Sequence, residues 1–149
     1  MQDLSGDIME KDYAKSEPII SEQAQERVLL VEDYPANVLV ASLFLEQFGY
    51  AYDVASNGQE AVDKVKAGGS YVAILMDVQM HGMNGLEATE IIRGLEKNSS
   101  VRPAWIIGMT AHALAGDRER CLNVGMNDYI SKPFNPDELL EKLKASGTR

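Results

Sequence analysis

The 149-residue sequence holds one cysteine, one tryptophan, three phenylalanines and two histidines, and its 14 basic side chains are outnumbered by 23 acidic ones. Each shortage excludes something. A single cysteine, Cys121, cannot close an internal disulfide, and two isolated imidazoles, His81 and His112, do not make a metal site or a catalytic dyad. The net charge of −9 and a pI near 4.7 exclude the broad basic face that direct contact with nucleic acid or an anionic membrane requires. No apolar run approaches the roughly 20 residues of a membrane-spanning helix, and the N-terminus lacks the basic-then-apolar order of a secretory signal. A reducing, cytoplasmic setting is the expectation. Cations and basic partner surfaces stay open as ligands.

What is present is an ordinary globular share of hydrophobic residues, 45%, in a chain whose length suits one domain. Residues 1–26 carry seven acidic against two basic side chains and no sustained period, so they read as an acidic tail or linker of charge −5. From Arg27 the texture changes. Short apolar runs at Val28–Val31, Tyr50–Ala55, Tyr71–Met76, Ala104–Met109 and Asp128–Ser131 alternate with segments of helical spacing, such as Val38, Ala41, Leu45 and Phe48, or Leu86, Ile91, Ile92 and Leu95. Asn57 and Asn84 each precede a glutamate by three residues, and Asn135 precedes Pro136, Asp137 and Glu138, so each asparagine is placed to cap a helix. Gly49 and Gly125 stand where helices should stop. Five β-then-α units over residues 27–145, with 146–149 as a short polar tail, predict an α/β fold with a doubly wound parallel sheet.

The chemistry-bearing residues lie where such a sheet gathers them. Glu32 and Asp33 follow the first strand, Asp77 the third, Thr110 the fourth and Lys132 the fifth, all at the carboxyl edge that hosts ligands in open parallel sheets. Three carboxylates about 5 Å apart repel by roughly 3 kcal/mol per pair at an effective dielectric near 20. The total of about 10 kcal/mol rivals the whole stability of a small domain, roughly 5–15 kcal/mol, so the cluster must be neutralised. Lys132 offsets one charge; a divalent cation held by oxygen ligands, Mg²⁺ rather than zinc or copper, offsets more. Phosphoryl transfer suits this set, with Mg²⁺ and Lys132 on the phosphoryl oxygens, Thr110 donating a hydrogen bond and a carboxylate as nucleophile. Asp77 is the best-placed nucleophile because it follows the central strand, between the Glu32/Asp33 side and the Thr110/Lys132 side.

The segments Val28-Leu29-Leu30-Val31-Glu32-Asp33, Ile74-Leu75-Met76-Asp77-Val78-Gln79-Met80, Met109-Thr110-Ala111 and Tyr129-Ile130-Ser131-Lys132-Pro133-Phe134 resemble the receiver domains of two-component response regulators. The resemblance covers about residues 27–145. It implies a flavodoxin-like (βα)5 fold of strand order 2-1-3-4-5 and Asp77 as phosphoacceptor, with Glu32 and Asp33 as the acidic pair of a Mg²⁺ site and the Gln79 carbonyl as a further ligand. It also implies Thr110 and Tyr129 as a switch pair, Lys132 as the phosphate-binding lysine, and a cis bond before Pro133. The implied partner is a histidine kinase or histidine phosphotransfer domain. Fragments around Thr110-Ala111-His112-Ala113 and Gly125-Met126-Asn127-Asp128-Tyr129 resemble receivers of hybrid histidine kinases most, which implies an output or kinase domain in a longer chain; a stand-alone receiver is the alternative. The sequence departs from the family at His81, often proline, and Asn84, often aspartate, while Gln79 and His112 occupy the positions that tune autodephosphorylation.

Other readings fit less well. A phosphohydrolase of the haloacid-dehalogenase type needs a second aspartate two residues beyond its nucleophile, where this chain has Gln79. A dinucleotide-binding domain needs a Gly-x-Gly-x-x-Gly after the first strand, and a flavodoxin needs a phosphate loop there, which Glu32-Asp33-Tyr34-Pro35 would repel. Taken singly, Tyr129 reads as a packed aromatic, His81 and His112 as exposed loop side chains, and Cys121 as a buried helical thiol.

Overall fold

Short runs that are apolar at nearly every position suit strands covered on both faces, as Val28–Val31, Ala73–Met76 and Ile106–Met109 prove to be, whereas the runs with polar residues, AYDVA and DYIS, take the two edges of the sheet. In a computed structural model, which describes residues 25–100, 102–111 and 115–148, these runs form β1 (Arg27–Val31), β2 (Ala51–Ala55), β3 (Ala73–Asp77), β4 (Ile106–Thr110) and β5 (Asp128–Ser131). Between and after them lie α1 (Pro35–Gln47), α2 (Gly58–Lys66), α3 (Gly85–Glu96), α4 (Ala115–Asn123) and α5 (Pro136–Gly147). All pairings are parallel and the strand order is β2-β1-β3-β4-β5, the flavodoxin-like order.

Side chains alternate across each strand and so feed two cores. Leu29, Val31, Ile74, Met76 and Ile106 pack with Ala61 and Val62 of α2, Ala88 and Ile92 of α3, and Cys121 of α4. Val28, Leu30, Ala73, Leu75, Ile107, Met109 and Ile130 pack on the other face with Ala41 and Leu45 of α1 and Leu139 and Leu143 of α5. Cys121 is buried in the first of these, as its apolar neighbours suggest, and burial pushes its thiol above the ordinary range. On α3, Ile92 is fully buried while Ile91 and Leu95 are exposed, so small residues, Ala88 and Thr89, complete the inward face that the apolar spacing assigned to larger ones.

Several boundaries differ from the sequence reading. β3 and β4 start two residues later than their apolar runs and extend one residue further, to Asp77 and Thr110, because Val78 N–H still reaches Met109 O and Lys132 N–H reaches Thr110 O. α5 continues through Ser146, which is buried, and Gly147, both assigned to a tail by the sequence reading. Of the acidic N-terminal segment, residues 1–24 lie outside the described residues, whereas Glu26 O accepts from Ala51 N–H at 3.0 Å and so lengthens the ladder between β1 and β2. His112 also lies outside the described residues.

The caps follow the asparagines. Asn84 and Glu87 form a reciprocal capping box, Asn84 Oδ1 taking Glu87 N–H at 2.9 Å and Glu87 Oε1 taking Asn84 N–H at 3.1 Å. At α2, Asn57 takes Glu60 N–H, but the Glu60 carboxylate reaches one residue further back, to Ser56 N–H at 2.8 Å. Gly49 and Gly125 adopt φ of +89° and +108°, the left-handed turn that ends α1 and α4. Among the described residues, no helix is long and apolar enough to cross a membrane.

Candidate functional site at the carboxyl edge of the sheet

Parallel pairing of β1 with β3, in which Val31 faces Met76, sets the residues following Val31 beside Asp77. Glu32, Asp33 and Asp77 each offer a carboxylate oxygen, and these oxygens all lie within 4.8 Å of one another. Glu32 and Asp77 are only 2% and 3% exposed. Lys132, carried in by β5, reaches between them, its Nζ 3.1 Å from Glu32 Oε1 and 3.3 Å from Asp77 Oδ1. Nearby backbone adds two contacts: Tyr34 N–H donates to Glu32 Oε2 at 3.2 Å, and Gln79 N–H donates to Asp77 Oδ1 at 3.2 Å. The Lys132–Pro133 peptide bond is cis.

The charges do not balance within the site. Burial and the neighbouring Glu32 push the Asp77 carboxyl up to about 6, although Lys132 and the Gln79 N–H pull it the other way. Three carboxylates against one ammonium leave a surplus of negative charge in a poorly hydrated place. Asp33 behaves differently. Burial would raise it, but the His81 backbone N–H at 3.1 Å and the ring Nδ1 at 3.2 Å both meet its Oδ2, and the carboxyl is held below the ordinary range. The exposed His81 side chain is therefore part of the site's surroundings, a role that a separation of 48 residues hides from sequence reading.

The donor set is oxygen alone, with one carboxylate, Asp33, still 24% exposed, so it fits a hard divalent cation that keeps some of its waters. Gly85 guards the geometry behind it. A Cβ there would collide with the Asp77 carbonyl oxygen and crowd Met76, so α3 can start close to the end of β3 only with glycine at that position.

Thr110 and Tyr129 lie on the same side of neighbouring strands, Tyr129 paired with Gly108 and Thr110 with Ser131. Tyr129 is half-buried against the first core, with the Lys142 ammonium 5.8 Å from its ring centroid and joined to Asp128 at 2.9 Å. The Thr110 hydroxyl donates to Asp117 Oδ2 on α4 at 3.4 Å. Asp117 was not singled out in the sequence, where an acid in the first turn of a helix reads as an ordinary partner for the helix dipole.

A family model described as the response regulator receiver domain matches residues 28–144. The chain belongs to that family. Among curated relatives, this receiver is 43% identical over 126 residues to hybrid signal transduction histidine kinase B of Dictyostelium discoideum, an alignment covering 79% of this chain and 6% of the relative. It is 40% identical over 126 residues to the sensor protein GacS of Pseudomonas syringae pv. syringae, covering 83% and 14%. The receiver thus spans a small fraction of the length of these relatives.

Solved structures agree in fold. The receiver domain of sensor histidine kinase PA1611 from Pseudomonas aeruginosa PAO1, described with a magnesium ion coordinated in its active-site cleft, matches at a TM-score of 0.75 and 39% identity, covering 85% of this chain and all of that one. A co-crystal structure from Saccharomyces cerevisiae, of the histidine phosphotransfer protein Ypd1 with the receiver domain of Ssk1, matches at a TM-score of 0.75 and 34% identity, covering 83% and 90%.

Proposed function

We propose that this receiver takes a phosphoryl group from a phosphohistidine onto Asp77 and acts as a phosphorylation switch within a hybrid histidine kinase. The observation that carries the reading is the acidic cluster within 4.8 Å, with Lys132 inserted between Glu32 and Asp77. The hybrid-kinase relatives support the larger context, and the complex of a receiver with a histidine phosphotransfer protein supports the class of donor. The lone cysteine, which can close no internal disulfide, supports a reducing, cytoplasmic setting.

Asp33, Asp77 and the Gln79 carbonyl would hold Mg²⁺, with Glu32 acting mainly through water. Bound there, Mg²⁺ supplies the positive charge that the site lacks and that the phosphoryl oxygens require. Asp77 attacks phosphorus with one carboxylate oxygen: the O–P bond forms as the N–P bond of the phosphohistidine breaks, and the imidazole nitrogen leaves with the bonding pair. Lys132 holds a phosphoryl oxygen, and Thr110 donates a hydrogen bond from its hydroxyl to another. Drawing Thr110 inward makes room for Tyr129 to turn from its half-buried position, which shifts the domain toward an active state.

Incubation with Mg²⁺ and acetyl phosphate tests the reading. The wild-type protein should incorporate acid-stable phosphate, and the Asp77→Asn variant or chelation by EDTA should abolish it. Undiminished incorporation in Asp77→Asn would overturn the assignment.

A further inference from the structure

We infer that Asp117 is a positioning residue that holds Thr110 in its unphosphorylated orientation, so that the phosphoryl group and α4 compete for one hydroxyl proton. The inference rests on the proposed phosphorylation of Asp77 and adds to it a partner that the acidic cluster does not contain. Thr110 is the last residue of β4 and is 5% exposed, so its hydroxyl has little access to water. Its Oγ1 donates to Asp117 Oδ2 at 3.4 Å, a long contact and therefore one that a phosphoryl oxygen can displace. The other Asp117 oxygen, Oδ1, is held by Arg120 at 3.2 Å, and the aspartate side chain is only 17% exposed. Asp117 is thus fixed from its own helix while it reaches across to the strand.

A hydroxyl carries a single proton and donates it along one direction at a time. Donation to a phosphoryl oxygen on Asp77 turns that proton away from Asp117. The first turn of α4 then loses this contact with the end of β4. Phosphorylation is in this way linked to α4 through one hydrogen bond, and the energy of that bond sets part of the resistance to switching.

Titration of the Mg²⁺-loaded protein with beryllofluoride, a phosphoryl mimic, followed by amide NMR, tests this in a double-mutant cycle. Asp117→Ala should tighten mimic binding by about three- to tenfold, the effect of removing one competing hydrogen bond. In a Thr110→Val background the same substitution should change affinity by no more than about twofold. Asp117→Asn keeps a neutral acceptor and the helix N-terminal polarity, and should give a smaller tightening that also vanishes with Thr110→Val; it serves if the alanine variant does not fold. Amide exchange in the first turn of α4 should quicken when the wild-type protein is saturated with mimic. An unchanged affinity in Asp117→Ala, or the same factor with and without the Thr110 hydroxyl, overturns the inference and leaves the proposed phosphoacceptor untouched. Failure of the wild-type protein to bind the mimic at all would instead overturn the proposed function.

Discussion

At the residue scale, Asp77 is a carboxyl that its own fold disfavours in the charged form. Its proton is held up to about 6, against an ordinary 3.8, first by burial and then by Glu32. The folded state therefore binds this proton more tightly than the unfolded chain does. The resulting penalty is absent below pH 4, grows between about pH 4 and pH 6, and is fully present above. Asp77→Asn should accordingly stabilise the metal-free protein by about 1–3 kcal/mol at pH 7.5, with the gain disappearing near pH 4. Urea unfolding of both proteins at the two pH values measures it; equal stability at pH 7.5 would remove the claim of a strained carboxylate. Asp33, held low by His81, acts in the opposite sense, stabilising above its ordinary range and losing that contribution as pH falls.

At the scale of elements, α3 shows how local sequence and site geometry meet. Gly85 and Gly94 lie in the same helix, but a Cβ at Gly85 would strike the Asp77 carbonyl whereas one at Gly94 meets nothing within 4 Å. Gly94→Ala should stabilise by about 0.5–1 kcal/mol through helix propensity alone. Gly85→Ala should destabilise by about 1–3 kcal/mol and weaken divalent-cation binding, because the end of β3 must shift. Thermal or urea unfolding with calorimetric cation titration would distinguish the two signs.

Strand identity was readable because Val28–Val31 and Ile74–Met76 are apolar at every position, the mark of strands covered on both faces. Strand starts were not, since Tyr50, Tyr71 and Ala104 are as apolar as the residues after them, and the ladder alone decides where regular pairing begins. Glu32, Asp33, Asp77 and Lys132 were legible as a group because the topology sends every strand end to one edge. The His81 clasp on Asp33 was not, since it joins loops after different strands by contacts that no local pattern encodes. Asp117 was hidden for another reason: its residue type already had a sufficient local explanation.

For the whole molecule, the surplus negative charge at one edge of the sheet should make stability depend on cation. A ligand at ten times its dissociation constant adds about 1.4 kcal/mol to a state it binds selectively. Mg²⁺ at that level should raise Tm by about 3–6 °C, and Asp33→Asn should remove most of the increase. A Tm indifferent to Mg²⁺ would separate the acidic cluster from cation binding. The overall charge of −9 is then a poor guide to function, since the part proposed to bind the cation is three carboxylates facing one lysine.

On the proposed function, Asp77 carries the phosphoryl group. Its most direct measurement is borohydride reduction of protein incubated with Mg²⁺ and acetyl phosphate, followed by peptide mapping, because reduction converts an aspartyl phosphate to homoserine in place. Homoserine is expected at position 77 only, and only when Mg²⁺ is present. Homoserine at another position, or none despite incorporated phosphate, would contradict it.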